Sequence, residues 1–361
     1  MTFGKMTLKR NDRAAAESAA RAQRDAHVIA AGAIVFQVAR VMAKLGIFSF
    51  LSSPGGHTEE EAAEYAGISR YGAKVLLEAS LTAGTVSVKD GRYTLTKTGW
   101  FLINDPMVKV NLDFNHDVNY KGFWWLEDAI RNGRPEGLRE LGGWPTIYEG
   151  LSSLEPQARK SWFAFDHFYS DSSFPEVLAT VFASAPRRIL DIGGNTGKWA
   201  MKCTSYSPDV EVTVMDLPQQ IGMMQENISG YSEKSRIHGC PADILDQGTV
   251  FPKGFDIIWM SQFLDCFSAE QVTDILRRAS GSLAAGGRIM IMETLWDRQQ
   301  YDTASFDLTQ TSLYFTVMAN GNSKMFSYGD LCSYIALAGL KVASVKDGIG
   351  FGHSLLECIP A

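Results

Sequence analysis

Three acids follow apolar, β-rich runs: Asp191 in "ILDIGGNTGKWA", Asp216 in "EVTVMD" and Asp243 in "CPADIL". A carboxylate at the tip of a buried strand can accept both hydroxyls of a ribose, and open α/β sheets bind ligands at the carboxyl ends of their strands. Acids in register at three successive strand ends point to a nucleoside site. The loop after Asp191 narrows the ligand. With Gly197 and Gly194 as the last and middle glycines of GxGxxG, the first position falls on Ile192, so the dinucleotide fingerprint fails. Gly197-Lys198 is followed by Trp199, which removes the GK[ST] ending of a phosphate-cradling loop as well. What remains is Gly193, Gly194, Asn195 and Gly197, opening onto a helix whose first N–H groups are free for a carboxylate.

Other chemistry-bearing residues carry less. His167, in the aromatic stretch "FDHFYSD", reads as a packed, hydrogen-bonded histidine rather than a base. His27, His57, His116, His238 and His353 share no metal-ligand spacing. The five cysteines form no CxxC pair and leave an odd one, which favours reduced structural thiols.

These residues must be positioned by elements that the pattern of the chain also suggests. With 361 residues, 45% of them hydrophobic and 20% charged, the chain can bury a large core divided among two or three units. Thr58-x-x-Glu61 is a capping box that opens a helix through Tyr65, and Ser69 starts a second helix to about residue 83. "TVSVK" and "RYTLT", joined by Asp90-Gly91, form a two-residue hairpin, completing the pattern of a winged helix within residues 1–104. Residues 105–187 are expected to be a helical linker and substrate-pocket region, dense in aromatics that mainly pack one domain against the next while some line a flat, apolar pocket. From 188 to 361, "RILDI", "EVTVM", "SRIHG", "FDIIWM" and "GRIMIME" alternate with helices as a doubly wound parallel sheet. Only seven residues separate "LKVASVK" from "SLLECI", too few for a parallel crossover, so the last two strands must be antiparallel.

Charge and hydropathy exclude some partners. The net charge of −6 opposes general affinity for phosphate backbones or anionic lipid. Over residues 57–104 the bases Arg70, Lys74, Lys89, Arg92 and Lys97 meet six acids, a poor DNA-binding wing. Its expected role is pairing of two subunits, with the apolar run "HVIAAGAIVFQVARVMAKLGIFSFL" beside it. No signal core or membrane span is evident, and a cytoplasmic protein with a small-molecule partner, no nucleic acid and no membrane is expected.

Taken together, "LDIGGNTG", "VMDLPQ", "ADIL", "FDIIWMSQFLDCFSAEQVTDILRRASGSLAAGGRIMIME" and the late "AGL" resemble the successive motifs of class I S-adenosylmethionine-dependent methyltransferases. More narrowly, they resemble the plant caffeate and bacterial hydroxyindole or polyketide O-methyltransferases, which carry an N-terminal winged-helix dimerisation domain. The resemblance implies an α/β Rossmann-like fold with an antiparallel last strand, S-adenosyl-L-methionine as cofactor, and a homodimer. It implies methyl transfer to the oxygen of a small aromatic or enolic acceptor. Alternatives are a C-methyltransferase of an acidic carbon, or a non-catalytic cofactor-binding regulator. By the same resemblance Gly193 packs against the methionine part of the cofactor and Asp216, with Leu217 beside it, holds the ribose. Asp243 and Ile244 flank adenine, Ser261 stands where the family has a lysine, and Tyr169 and Ser170 border the site. Asn195 replaces a glycine, a mild change because Asn tolerates the left-handed region.

The implied catalytic residues depart from the family. Where it has a histidine base after the fourth strand, in a motif like "LHDWSD", this chain reads "LDCFSA", which puts Asp265 in the histidine's place and Cys266 after it. The supporting glutamate is matched by Glu293, whereas a second one near "GNSKMFS" has no acidic counterpart. An unperturbed Asp, with a pKa of about 3.9, is a poor base for a phenol of about 10. Either Asp265 and Glu293 share a proton that raises one pKa, or the acceptor arrives ionised and the site only orients it. An acidic acceptor, with Asp265 as orienter or weak base, is the expectation.

Overall fold

Thr58 does begin a helix, Glu59–Ala66: its hydroxyl accepts from the Glu61 N–H (3.2 Å) and the Glu61 carboxylate accepts from the Thr58 N–H (3.0 Å). The computed structural model describes residues 18–361, apart from the side chains of Ser170 and Asp171. It contains two compact units, one ending at His116 and one spanning Asp117–Ala361.

In the first unit, Ser69 caps the helix Arg70–Ala83 by accepting from the Gly72 N–H. Strands β1 (Val86–Lys89) and β2 (Arg92–Leu95) pair antiparallel, and Asp90 (φ 50°) with Gly91 (φ 73°) makes the turn that Asp-Gly favours. His57 exchanges backbone hydrogen bonds with Tyr93, so the segment before the capped helix extends the hairpin. Met42, Ile47, Phe48, Leu51, Leu77 and Val86 form the core. The helices Ala19–Ala30 and Gly32–Lys44 leave Ile29 (81%) and Ile34 (68%) exposed. Among the described residues no single helix is long and apolar enough to cross a membrane, although these two pass a length and composition test as a pair bent by 71°.

The second unit is built on seven strands: β3 (Arg188–Ile192), β4 (Glu211–Asp216), β5 (Ile237–Pro241), β6 (Phe255–Ser261), β7 (Leu283–Glu293), β8 (Leu340–Ile349) and β9 (His353–Pro360). Their order is β5-β4-β3-β6-β7-β9-β8, parallel from β5 to β7, with β9 antiparallel to both β7 and β8. The final ladder continues to Ile349 and His353, leaving a three-residue turn that is tighter than the sequence implied. Side chains alternate across β6. Ile258 and Met260 join one core with Ile275, Leu276 and Leu331, while Ile257 and Trp259 join another with Val177, Trp199 and Val214. Burial on both faces accounts for the near-continuous apolar strands. The chain runs outward from β3 to β4 and β5, then returns to β6 on the other side of β3. The crevice between the carboxyl ends of β3 and β6 is the topological switch point, where open sheets bind ligands.

Candidate functional site

At that switch point lies a cavity of about 400 Å³, within the range of small-ligand sites. Its floor is the glycine loop between β3 and the helix Lys198–Tyr206. Gly193 has φ 77° and donates to the Met215 carbonyl (2.9 Å). A Cβ there would lie 2.1 Å from the Phe263 ring, so only glycine admits this wall of the cavity. Asn195 adopts φ 49°, the left-handed conformation expected of the residue standing in for a glycine.

Asp216 ends β4 beneath this loop. Its carboxylate accepts from the backbone N–H of Asn195 (2.9 Å) and of Leu217 (2.7 Å), which fixes its orientation. Burial pushes its pKa up, and those two N–H groups oppose the rise. Behind it, Asp191 is buried and reaches about 8, through burial first and the Asp216 charge second. Asp243, past the end of β5, accepts from the Leu245 N–H (2.9 Å). Gly193, Asp216, Leu217, Asp243 and Ile244 all line the cavity.

Two other residues singled out from the sequence, Ser261 and Tyr169, do not line it. Ser261 lies behind the wall with its hydroxyl buried and unpartnered. Tyr169 is 4% exposed and donates to the Asp307 carboxylate (3.1 Å). Ser170 follows it in the helix Pro156–Asp171, and its side chain lies outside the described part of the molecule. That helix turns Trp162 and Asp166 to the cavity, one helical turn apart. Trp162 is held by donating its indole N–H to the Tyr314 hydroxyl (2.7 Å).

Gln262 is the residue that sequence reasoning missed. It follows β6 with φ 46°, an uncommon conformation for a residue other than glycine, fixed by an N–H donated to the Met292 carbonyl (2.9 Å). Its side-chain oxygen is buried without a partner and it lines the cavity, as do Asn195 and Gln220, whose side-chain oxygens are likewise unpartnered. These orphaned acceptors beside Asp216 and Asp243 suit a ligand rich in hydroxyl and amino donors, as a nucleoside amino acid is.

Asp265 and Glu293 come together at the carboxyl ends of β6 and β7. One Glu293 oxygen accepts from the N–H groups of Phe263 (3.1 Å) and Leu264 (3.0 Å), while the other is buried without a partner. Burial, and then the Asp265 charge, push Glu293 well above the usual carboxylate range. Asp265 rises to about 7, chiefly through burial. Two adjacent carboxyl groups thus hold a proton near neutrality. Neither side chain lines the cavity; Cys266 does, with its sulfur 3.6 Å from an Asp265 oxygen. His167 lies 3.8 Å from Asp166 and stacks on Phe163, the packed role its aromatic surroundings suggested. No cluster of metal ligands occurs among the described residues.

Comparison with known proteins gives this geometry a family. Residues 23–93 match a Dimerisation2-like domain and residues 123–333 an O-methyltransferase domain. The chain is 26% identical over 264 residues to 3-hydroxy-5-methyl-1-naphthoate 3-O-methyltransferase of Streptomyces sahachiroi, covering 70% of this chain and 71% of that one. It is 24% identical over 268 residues to L-tyrosine C(3)-methyltransferase of Streptomyces lavendulae, covering 73% and 72%. Among solved structures the fold is similar to the mitomycin 7-O-methyltransferase MmcR, with a TM-score of 0.71, 19% identity and coverage of 95% of this chain and 98% of that one. It is also similar to the O-methyltransferase NcsB1 solved with S-adenosylmethionine and 2-hydroxy-5-methyl naphthoic acid, with a TM-score of 0.67, 23% identity and coverage of 90% and 96%. The chain belongs to the O-methyltransferase family of S-adenosylmethionine-dependent enzymes.

Proposed function

We propose that this enzyme methylates an oxygen of a small aromatic or enolic acceptor, with the cofactor held over Gly193 between Asp216 and Asp243. The observation that carries the reading is one cavity joining these strand-end acids to a compartment walled by Trp162, Asp166 and Cys266. When bound, the cofactor supplies a methyl group on a positively charged sulfur. Asp216 and Leu217 orient the ribose, and Ile244 and Asp243 take the base. Ser261 and Tyr169 support the walls rather than the ligand. Asp265, held with Glu293 behind the Cys266 thiol, accepts the acceptor's proton by way of that thiol, whose sulfur lies 3.6 Å from an Asp265 oxygen. Its raised pKa makes it a far better base than an exposed aspartate. Transfer to carbon is the second reading, favoured by the relative named as a tyrosine C(3)-methyltransferase.

Asp216→Ala is expected to weaken S-adenosylhomocysteine binding by about 1.5–3 kcal/mol, the worth of hydrogen bonds to a charged group. Calorimetry checks this, and an unchanged affinity removes Asp216 from the ribose site. Labelled methyl transfer to a panel of phenols, enols and keto acids then tests the reaction itself.

The helix–helix–hairpin unit is proposed to pair two subunits as a winged helix, in a cytoplasmic protein. Exposed Ile29 and Ile34, on the two helices that precede it, motivate this. Light scattering is expected to give a dimer mass, and a monomer would contradict it.

A further inference from the structure

The acceptor compartment has a charge that selects among acceptors. Among the described residues lining the cavity there is no Lys, Arg or His, and the charged ones are Glu149, Asp166, Asp216 and Asp243. Asp166 lies within electrostatic reach of Asp265 and Cys266, and Glu149 follows Tyr148, which neighbours Cys266, so both acids are assigned to the Cys266 end of the cavity, with Asp265 buried behind Cys266. The Tyr148 hydroxyl lies there, buried beside the Cys266 thiol. Asn320, also on this wall, donates to the Cys266 carbonyl and accepts from the Ser323 hydroxyl and the N–H groups of Asn322 and Ser323. Its side-chain oxygen is therefore already occupied.

A carboxylate on the acceptor would enter beside like charges with no cation among the described lining residues to meet it. An anion buried without a partner is strongly disfavoured, and like-charge contacts are a principal means of rejecting a wrong ligand. An ammonium or other N–H group meets the opposite situation, because Glu149 can accept from it and so can the lone pairs of the Tyr148 oxygen. Resting on the methyltransferase reading, we infer that the true acceptor is a hydroxylated aromatic amine or its uncharged counterpart, and that hydroxyaryl carboxylates are excluded by Glu149 and its acidic neighbours.

The test uses the full chain and matched ligands: one-ring and two-ring phenols carrying an aminomethyl, a hydroxymethyl or a carboxyl group at the same position. S-adenosylhomocysteine is titrated first, then each phenol into the saturated protein. In at least one ring series the amine is expected to bind about tenfold or more tighter than the carboxylate, with the alcohol between them. Added salt should narrow the gap, and Glu149→Lys, at an exposed position, should close or reverse it. Carboxylates binding as well as amines in both series, or no amine or alcohol binding in either, overturns the inference. Absence of S-adenosylhomocysteine binding defeats the methyltransferase reading and this inference with it. Binding with a preference for carboxylates defeats the inference alone.

Discussion

Asp265→Asn is expected to lower turnover on a true acceptor by about 10²-fold or more, while cofactor affinity stays nearly unchanged. Amide and carboxyl have almost the same shape, so the variant removes proton-accepting ability and little else. Asp265 sits 5% exposed behind Cys266, outside the cofactor end of the cavity. The same substitution should also change stability in a direction that misfolding cannot imitate. Asp265 has a folded-state pKa raised to about 7, mainly because burial disfavours its charge. The stability this protonated group contributes is complete below its unfolded value of about 3.9 and is lost as pH rises through about 7. The neutral Asn does not ionise, so the variant should gain stability relative to wild type between pH 5 and 8. Urea unfolding across that range checks the sign. Loss of turnover with a relative gain in stability at pH 8 supports the proton-acceptor role. Wild-type rates from the variant would remove Asp265 from the mechanism.

Gly193→Ala is expected to weaken S-adenosylhomocysteine binding by about 10²-fold or more. At φ 77° an alanine is strained by about 1–2 kcal/mol. Its Cβ would lie 2.1 Å from a carbon of the Phe263 ring, so the ring or the loop must move. Both line the cavity, and the Phe263 ring is packed edge-on to Phe267 with centroids 4.8 Å apart. Titration calorimetry gives the affinity, and a near-UV circular dichroism spectrum like that of wild type separates a local effect from loss of the fold. Undiminished binding would show that the loop does not form the cofactor floor.

What the sequence revealed was local. Thr58 and Glu61 satisfy each other's backbone neighbours within four residues, and Asp90-Gly91 makes its turn with its own dihedrals. The antiparallel end of the sheet followed from a short connection, and the left-handed Asn195 from the tolerance of one residue type. Features decided by distant partners were not legible. Which face of the helix Pro156–Asp171 meets the cavity depends on packing such as Trp162 against Tyr314, 152 residues away, so Tyr169 stood in the reading where Trp162 and Asp166 line the wall. Ser261 was chosen for its place in a motif, whereas the strained turn of the backbone presents Gln262. The basicity of Asp265 was hidden for the same reason. Its ordinary pKa is a property of the residue, and its raised value is a property of burial, with the Asp166 charge adding to it.

One calorimetric titration of the wild-type chain bears most directly on all of this: S-adenosylhomocysteine in one series, a nicotinamide dinucleotide in the other. A loop with Ile192 where a pyrophosphate needs glycine, beside acids placed for a ribose and a base, predicts saturable binding of one S-adenosylhomocysteine per chain and no heat from the dinucleotide. Dinucleotide binding, or no S-adenosylhomocysteine binding at all, would contradict the assignment of this cavity.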